Sequence, residues 1–261
     1  MRLICAAGPA SAAQTGEAVG LYNYQAPRKR HRGRKLVIWV VILLALLVGL
    51  DFGAKSFAES QAATELQKQG FPNKPSVSIA GFPFLTQVIT RHFQEITIGS
   101  ADIPAGPVTI TRMRVVADNV HLNSSFNAGT AGPLHGTIFI SLGALGNALS
   151  VAGPLASFLG GGSQGLRIVS VGSNQVKGSL SLAGGIVSWS ATWQVVTSGS
   201  NQIELRLVSS DGLPAGVKSA ASNIKLPLSA LPAGLRLTGG LNSSANGITA
   251  QVFANSLSFG G

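Results

Sequence analysis

PSVSIAGFPFLTQVITRHFQEITIGSADI, residues Pro75 to Ile103, changes its hydrophobic period twice. Val77 and Ile79 alternate with serines, and Ile96 and Ile98 alternate with Thr97 and Gly99. A period of two with one apolar and one polar face marks strands that are wet on one side. Pro83 stands between them. It has no N–H to give to a ladder and cannot sit in a central strand, and it holds Phe82 extended. After it, Leu85, Val88, Ile89 and Phe93 fall at i, i+3, i+4 and i+8, which predicts a two-turn amphipathic helix. The stretch therefore reads as strand, break, short helix, strand.

Downstream, the period of two persists. Val108 and Ile110 alternate with threonines, and Val187, Trp189, Ala191, Trp193 and Val195 form one run. Ile203, Leu205 and Leu207 follow, then Ile248, Ala250, Val252 and Ala254. Gly184-Gly185, Ser198-Gly199-Ser200 and Asp211-Gly212 supply the turns between runs. Sequential hairpins of this kind predict an antiparallel sheet and argue against a parallel nucleotide-binding one. Two stretches break the pattern. Ser141–Gly162 is apolar, small and helical in spacing, with Pro154 interrupting it. Val217–Leu235 reads as a short helix leading into Pro227 and Pro232. The expected fold class is α+β, a strongly curved antiparallel sheet with short helices on its concave side.

Upstream, RKRHRGRK (28–35) runs straight into LVIWVVILLALLVGL (36–50). The apolar run is ended by Asp51 and resumed briefly by Phe52-Gly53-Ala54. Fifteen residues lie between the usual signal-peptide and spanning-helix lengths. The basic run beside it acts as a positive-inside determinant, leaving the N-terminus cytoplasmic and the rest exported. The long tail in front favours an uncleaved anchor over cleavage at Ser56-Phe57-Ala58. No cysteine follows the run, which excludes a lipoprotein anchor. The expected organisation is a disordered basic tail over 1–35, a signal anchor over 36–54 and an exported domain over 55–261. Phe52–Gly70 reads as a helix with a thin stripe of Phe57, Ala58, Ala62 and Leu66, ended by Gly70 and Pro72.

The net charge of +10 is concentrated at the front. From Asp51 onward 12 basic and 8 acidic side chains remain, without the clustered Lys/Arg and interleaved aromatics of a nucleic-acid surface. One cysteine and four scattered histidines offer neither an internal disulfide nor metal-ligand spacing, and no cofactor is implied. Gly161-Gly162-Ser163-Gln164-Gly165 matches the nucleophile-elbow pattern. That motif needs a strand before the serine and a helix after it, whereas here LRIVSVG, a strand pattern, follows; a glycine hinge explains the match better. No carboxylate pair and no phosphate-binding glycine loop with its lysine occurs. His92 and His121 read as ordinary surface or satisfied histidines. The sequence reads as a non-enzymatic binding protein.

Large apolar side chains then mark the candidate site. Phe82, Phe84, Leu85, Val88 and Ile89 come from the stretch quoted above, and Leu145, Leu149, Leu155, Phe158 and Leu159 from the apolar helix. Two roles fit them: capping of the core, or lining of an apolar cavity. Arg91, Arg112 and Arg114 are suited to a phosphate near such a mouth, with plain surface solvation the alternative for each.

PSVSIAGFPFLTQ (75–87), HFQEITIGSADI (92–103) and LPLSALPAGLRLTGGLNSSANGITAQVFANSLSF (226–259) together resemble the actinobacterial LmeA-like phospholipid-binding family. The resemblance covers most of residues 55–261 in order, with the middle, 120–215, matching by pattern. It departs where the family's small-Gly-Arg after GFPFLTQ is Thr90-Arg91-His92. It implies a tubular lipid-binding-like fold, a long curved sheet wrapped on a helix around an apolar tunnel. It also implies phospholipid binding in the periplasm in support of envelope lipid and lipoglycan assembly, with the membrane and envelope glycolipid biosynthesis proteins as partners. A non-catalytic scaffold for a membrane-bound envelope biosynthesis enzyme is the alternative.

Overall fold

A computed structural model describes residues 32–68, 71–151, 166–182, 187–229, 231 and 234–260. The chain falls into two units, Met1–Leu44 and Ala45–Gly261. Of the first, the described part is the start of helix α1 (Arg32–Lys68). This helix passes through both the expected anchor and the expected helix after it, and is long and apolar enough to cross a membrane.

The second unit is antiparallel α+β. Its strands are β1 (Ser76–Ala80), β2 (His92–Ala105), β3 (Val108–Leu122), β4 (Gly129–Ala131), β5 (Leu134–Ser141), β6 (Leu166–Gly172), β7 (Gln175–Leu182), β8 (Val187–Thr197), β9 (Gln202–Asp211), β10 (Asn223–Pro227), β11 (Arg236–Ser244), β12 (Gly247–Ala254) and β13 (Leu257–Phe259). Helices α2 (Phe84–Thr90), α3 (Leu142–Val151) and α4 (Ala215–Ala221) lie between them. One sheet has eight strands in the order β1-β2-β3-β5-β12-β11, with β4 and β13 paired beside β3. The other has five, in the order β10-β9-β8-β7-β6. Every pairing is antiparallel, as the hairpin reading predicts. The sheets are not closed.

Sequence and structure differ in two local respects. NIKLP, within the stretch expected to be helical, is strand β10, paired with β9 from Asn223↔Arg206 to Pro227↔Gln202. Its buried residues are Ile224 and Leu226, so the period is two, and Pro227 ends the strand at the sheet edge where its missing N–H costs nothing. On the part of α1 from Asp51 onward, the buried stripe is Asp51, Ala54, Ala58 and Ala63, while Phe57 points outward. Small side chains on the inner face let the helix backbone approach the sheet closely.

One continuous core joins both sheets. β11 carries the junction: Ser243 N–H donates to Ser173 O at 2.6 Å, and its hydroxyl donates to Gly172 O and to Gln175 O. Leu237 N–H donates to Ser200 O at 2.7 Å. In the five-stranded sheet, Trp193 is fully buried and its Nε1–H donates to Ala221 O at 2.9 Å, satisfying a carbonyl in the last turn of α4. The Trp193 ring lies across Gly178, where an added Cβ would meet it at 2.8 Å. Only glycine permits that packing.

Candidate functional site

The α1–β1–α2–β2 corner is built from side chains of the GFPFLTQ stretch. Helix α2 begins after Pro83, which offers no side-chain cap, and the Phe82–Pro83 peptide is cis. The cap comes from α1 instead. Asp51 accepts from Phe84 N–H at 2.8 Å and from Leu85 N–H at 2.7 Å, and its side chain is buried. Four amides at a helix start lack intrahelical partners, and a carboxylate there also meets the positive end of the helix dipole. Eight residues along α1, Glu59 accepts from Ile79 N–H at 2.7 Å, on the outer side of edge strand β1. The helix thereby covers an edge that would otherwise offer free amides.

Gln87 closes the other side of the corner. Its amide donates to Ala80 O at 3.1 Å, and its Oε1 accepts from Gln94 N–H at 3.0 Å, tying the end of β1 to the start of β2. Gly81 has φ of +97°, and a Cβ on it would lie 2.7 Å from Gln87 Nε2. Phe84 is buried with its ring 6.2 Å from that of Phe93. The helix therefore buries Phe84 and Gln87 and half-buries Val88, and turns Leu85 and Ile89 outward. This inner face differs from the one the spacing predicts, because Asp51 anchors the first turn and Gln87 outcompetes an aliphatic residue by satisfying two backbone groups.

Phe82, Leu85 and Ile89 are left without a packing role. Phe82 is 61% exposed and Ile89 79% exposed. The Phe82 ring stacks on that of Phe52, itself 59% exposed, with centroids 6.3 Å apart. Large apolar side chains gathered on a surface in this way mark a contact with something apolar.

The remaining expected site residues lie elsewhere. Leu145 and Leu149 are fully buried on α3, packed in the common core. Leu155, Phe158 and Leu159 lie outside the described residues, as does the Ser163 pattern; the strand expected after it is β6. Arg112 and Arg114 project from β3 into an open groove of about 660 Å³ shared with Lys74 and Phe139. The Arg112 guanidinium lies 4.9 Å from the centre of the Phe139 ring, and among the described residues neither arginine makes an ion pair. Arg91 takes the left-handed conformation, with φ 56°, as the C-cap of α2. Its N–H turns back to Gln87 O and Val88 O, so the turn forms without a glycine. His92 and His121, opposite each other on β2 and β3, stack at 4.2 Å. No group of three or more metal-ligating side chains occurs among the described residues.

Asp51, Phe52 and Gln87 are absent from the expected site. Asp51 is visible in the sequence as the end of an apolar run, but nothing local connects it to a helix start 33 residues later.

The chain combines an antiparallel α+β body, an exposed apolar corner and a helix long and apolar enough to cross a membrane. A family model described as LmeA-like phospholipid-binding matches residues 49–253, and the chain belongs to that family. The family is one of lipid-binding domains and supports binding of phospholipid by this chain. No curated protein and no solved structure gives a match.

Proposed function

We propose that the chain is a single-pass, membrane-anchored protein that binds phospholipids or related amphiphiles without catalysing a reaction. Residues 1–35 are the cytoplasmic tail, 36–54 the anchor and 55–261 the periplasmic lipid-binding domain, serving envelope lipid and lipoglycan assembly. The family membership over residues 49–253 carries this reading. The basic run 28–35 before the apolar helix supports the orientation. Transfer of an acyl chain from water to an apolar surface gains about 0.8 kcal/mol per methylene, so extraction needs no catalytic group. Lys74, Arg112 and Arg114, in their groove without an acidic residue, supply charge for a phosphate. The tubular lipid-binding-like arrangement, with Phe82, Phe84, Leu85, Val88, Ile89, Leu145, Leu149, Leu155, Phe158 and Leu159 around the acyl chains, is part of the same proposal. Because Leu145 and Leu149 are packed in the core, acyl entry there requires α3 to move from β3 and β6.

The test is native mass spectrometry of residues 45–261 after incubation with phosphatidylglycerol and phosphatidylcholine vesicles and removal of the vesicles. Stoichiometric phospholipid on the protein is the expected result. Reproducible absence of bound lipid, with a folded protein by circular dichroism, overturns the reading.

A further inference from the structure

We infer that the corner formed by Phe52, Phe82, Leu85 and Ile89 is seated in the boundary layer of the bilayer, making α2 an interfacial helix fixed to the end of the membrane span. The inference rests on the anchored reading above. It begins with Asp51, which interrupts the apolar run in the sequence. Its side chain is only 4% exposed and both carboxylate oxygens are occupied by α2 amides, so the charge is turned away from the outer face of α1. That outer face stays apolar through Leu50 and Phe52, which are 63% and 59% exposed.

The usable apolar segment therefore extends from Leu36 to Ala54 rather than stopping at Leu50. At 1.5 Å per residue its 19 residues span about 28 Å, close to the thickness of a bilayer's hydrocarbon core. Lys55 follows at once, and it pairs with Glu59 at 3.9 Å. The hydrocarbon boundary thus falls in the last turn of that segment, Asp51 to Ala54, which carries Phe52. The stack of Phe82 on Phe52 carries the same level across to α2, where Leu85 and Ile89 stand one turn apart on the outward side. Four large apolar side chains, none of them charged, lie in continuity with a surface that itself faces lipid. A bilayer accounts for all four together. A helix lying in the interface buries its apolar face to a depth of about 5–10 Å.

The test uses the full chain with Cys5→Ser, which removes the single native thiol. An environment-sensitive fluorophore is attached to Phe82→Cys, Ile89→Cys or, as a control on β9, the exposed Ser209→Cys. Each protein is reconstituted in phosphatidylcholine–phosphatidylglycerol vesicles carrying a nitroxide at a shallow or a deep acyl carbon. Labels on Phe82→Cys and Ile89→Cys are expected to emit to the blue of the control and to lose most of their emission to the shallow nitroxide, less to the deep one. Water-like, unquenched emission from both positions, equal to Ser209→Cys, overturns the inference. Shielding of the two labels in native membranes without quenching in vesicles assigns the corner to a protein partner and overturns it equally. All three positions are exposed in the fold, so the substitutions leave the core intact. Quenching does not depend on stoichiometric lipid carriage, so failure here and failure of the mass-spectrometric test are separate results.

Discussion

The carboxylate of Asp51 on α1 and the backbone N–H of Phe84 on α2 meet at 2.8 Å, with Leu85 N–H at 2.7 Å on the other oxygen. A helix preceded by proline thus takes its cap from a residue in another element. Removing the carboxylate leaves two amides unpaired in a largely buried place. Hydrogen bonds to a charged group are worth about 1.5–3 kcal/mol, so Asp51→Ala should lower the stability of residues 45–261 by about that amount in urea titrations. Asp51→Asn keeps an acceptor and should cost less. Amide exchange over 84–90 should accelerate selectively in Asp51→Ala. A protein started at residue 55 lacks Asp51 and should show the same fast exchange.

Gly81 and Gln87 share one space, and their substitutions should therefore not add. Gly81→Ala meets both the positive φ and the Gln87 amide, for an expected loss of about 1–3 kcal/mol. Gln87→Ala removes the clash while freeing Ala80 O and Gln94 N–H. In the Gln87→Ala background Gly81→Ala should cost less than in the parent. What remains measures the backbone term together with the contact to Gln94 Oε1, which lies 3.0 Å from the added Cβ. Equal costs in both backgrounds would show that the side chains do not compete.

The antiparallel sheets were readable because one wet face forces a period of two, and runs such as Val187 to Val195 keep it without interruption. The break at Pro83 and the short helix after it were readable for the same kind of local reason. The inner face of that helix was not. Apolar spacing favours Leu85, Val88 and Ile89, whereas the fold turns Phe84 and the polar Gln87 inward, because the partners of Gln87 are backbone groups with no sequence signature. Strand β10 was hidden by the prolines around it and by its brevity. The reach of Asp51 to α2 is a tertiary contact, and a single sequence carries no trace of it.

Leu145 and Leu149 test what α3 does at rest. Both are fully buried, so Leu149→Ala should destabilise by about 2–5 kcal/mol through lost transfer energy and the cavity left behind. Leu145→Ala should fall in the same range. Thermal melts with and without phospholipid vesicles separate two roles. A side chain that only packs shifts both melts equally; one that an acyl chain replaces loses part of its penalty when lipid is bound.

Glu204 supplies an acid-sensitive contact. Its carboxylate accepts from Arg206 Nε at 2.8 Å, and this hydrogen bond, helped by Ser198 and Asn223, holds its pKa below the usual carboxylate value against the opposing effect of burial. A carboxyl whose folded pKa is depressed stabilises the protein above its unfolded pKa, about 4.3, and loses that contribution as pH falls through the folded value. The stability gap between wild type and Glu204→Gln should be constant near neutrality and shrink below about pH 4.3. Urea midpoints across that range provide the check. A gap that widens in acid would reverse the assigned sign.

Arg91 occupies a left-handed C-cap, with φ 56° and ψ 27°. A side chain with a Cβ resists that conformation, and glycine is the residue that most often ends helices there. The exposed arginine makes no ion pair among the described residues, so its replacement removes little. Arg91→Gly should therefore stabilise the folded unit by up to about 1 kcal/mol, offset in part by the greater freedom of glycine in the unfolded chain. Arg91→Val should destabilise, since β-branched residues tolerate this backbone region least. Opposite shifts of the two urea midpoints are the expected result. A destabilised Arg91→Gly would mean that the guanidinium contributes more to the α2–β2 turn than the backbone geometry withholds.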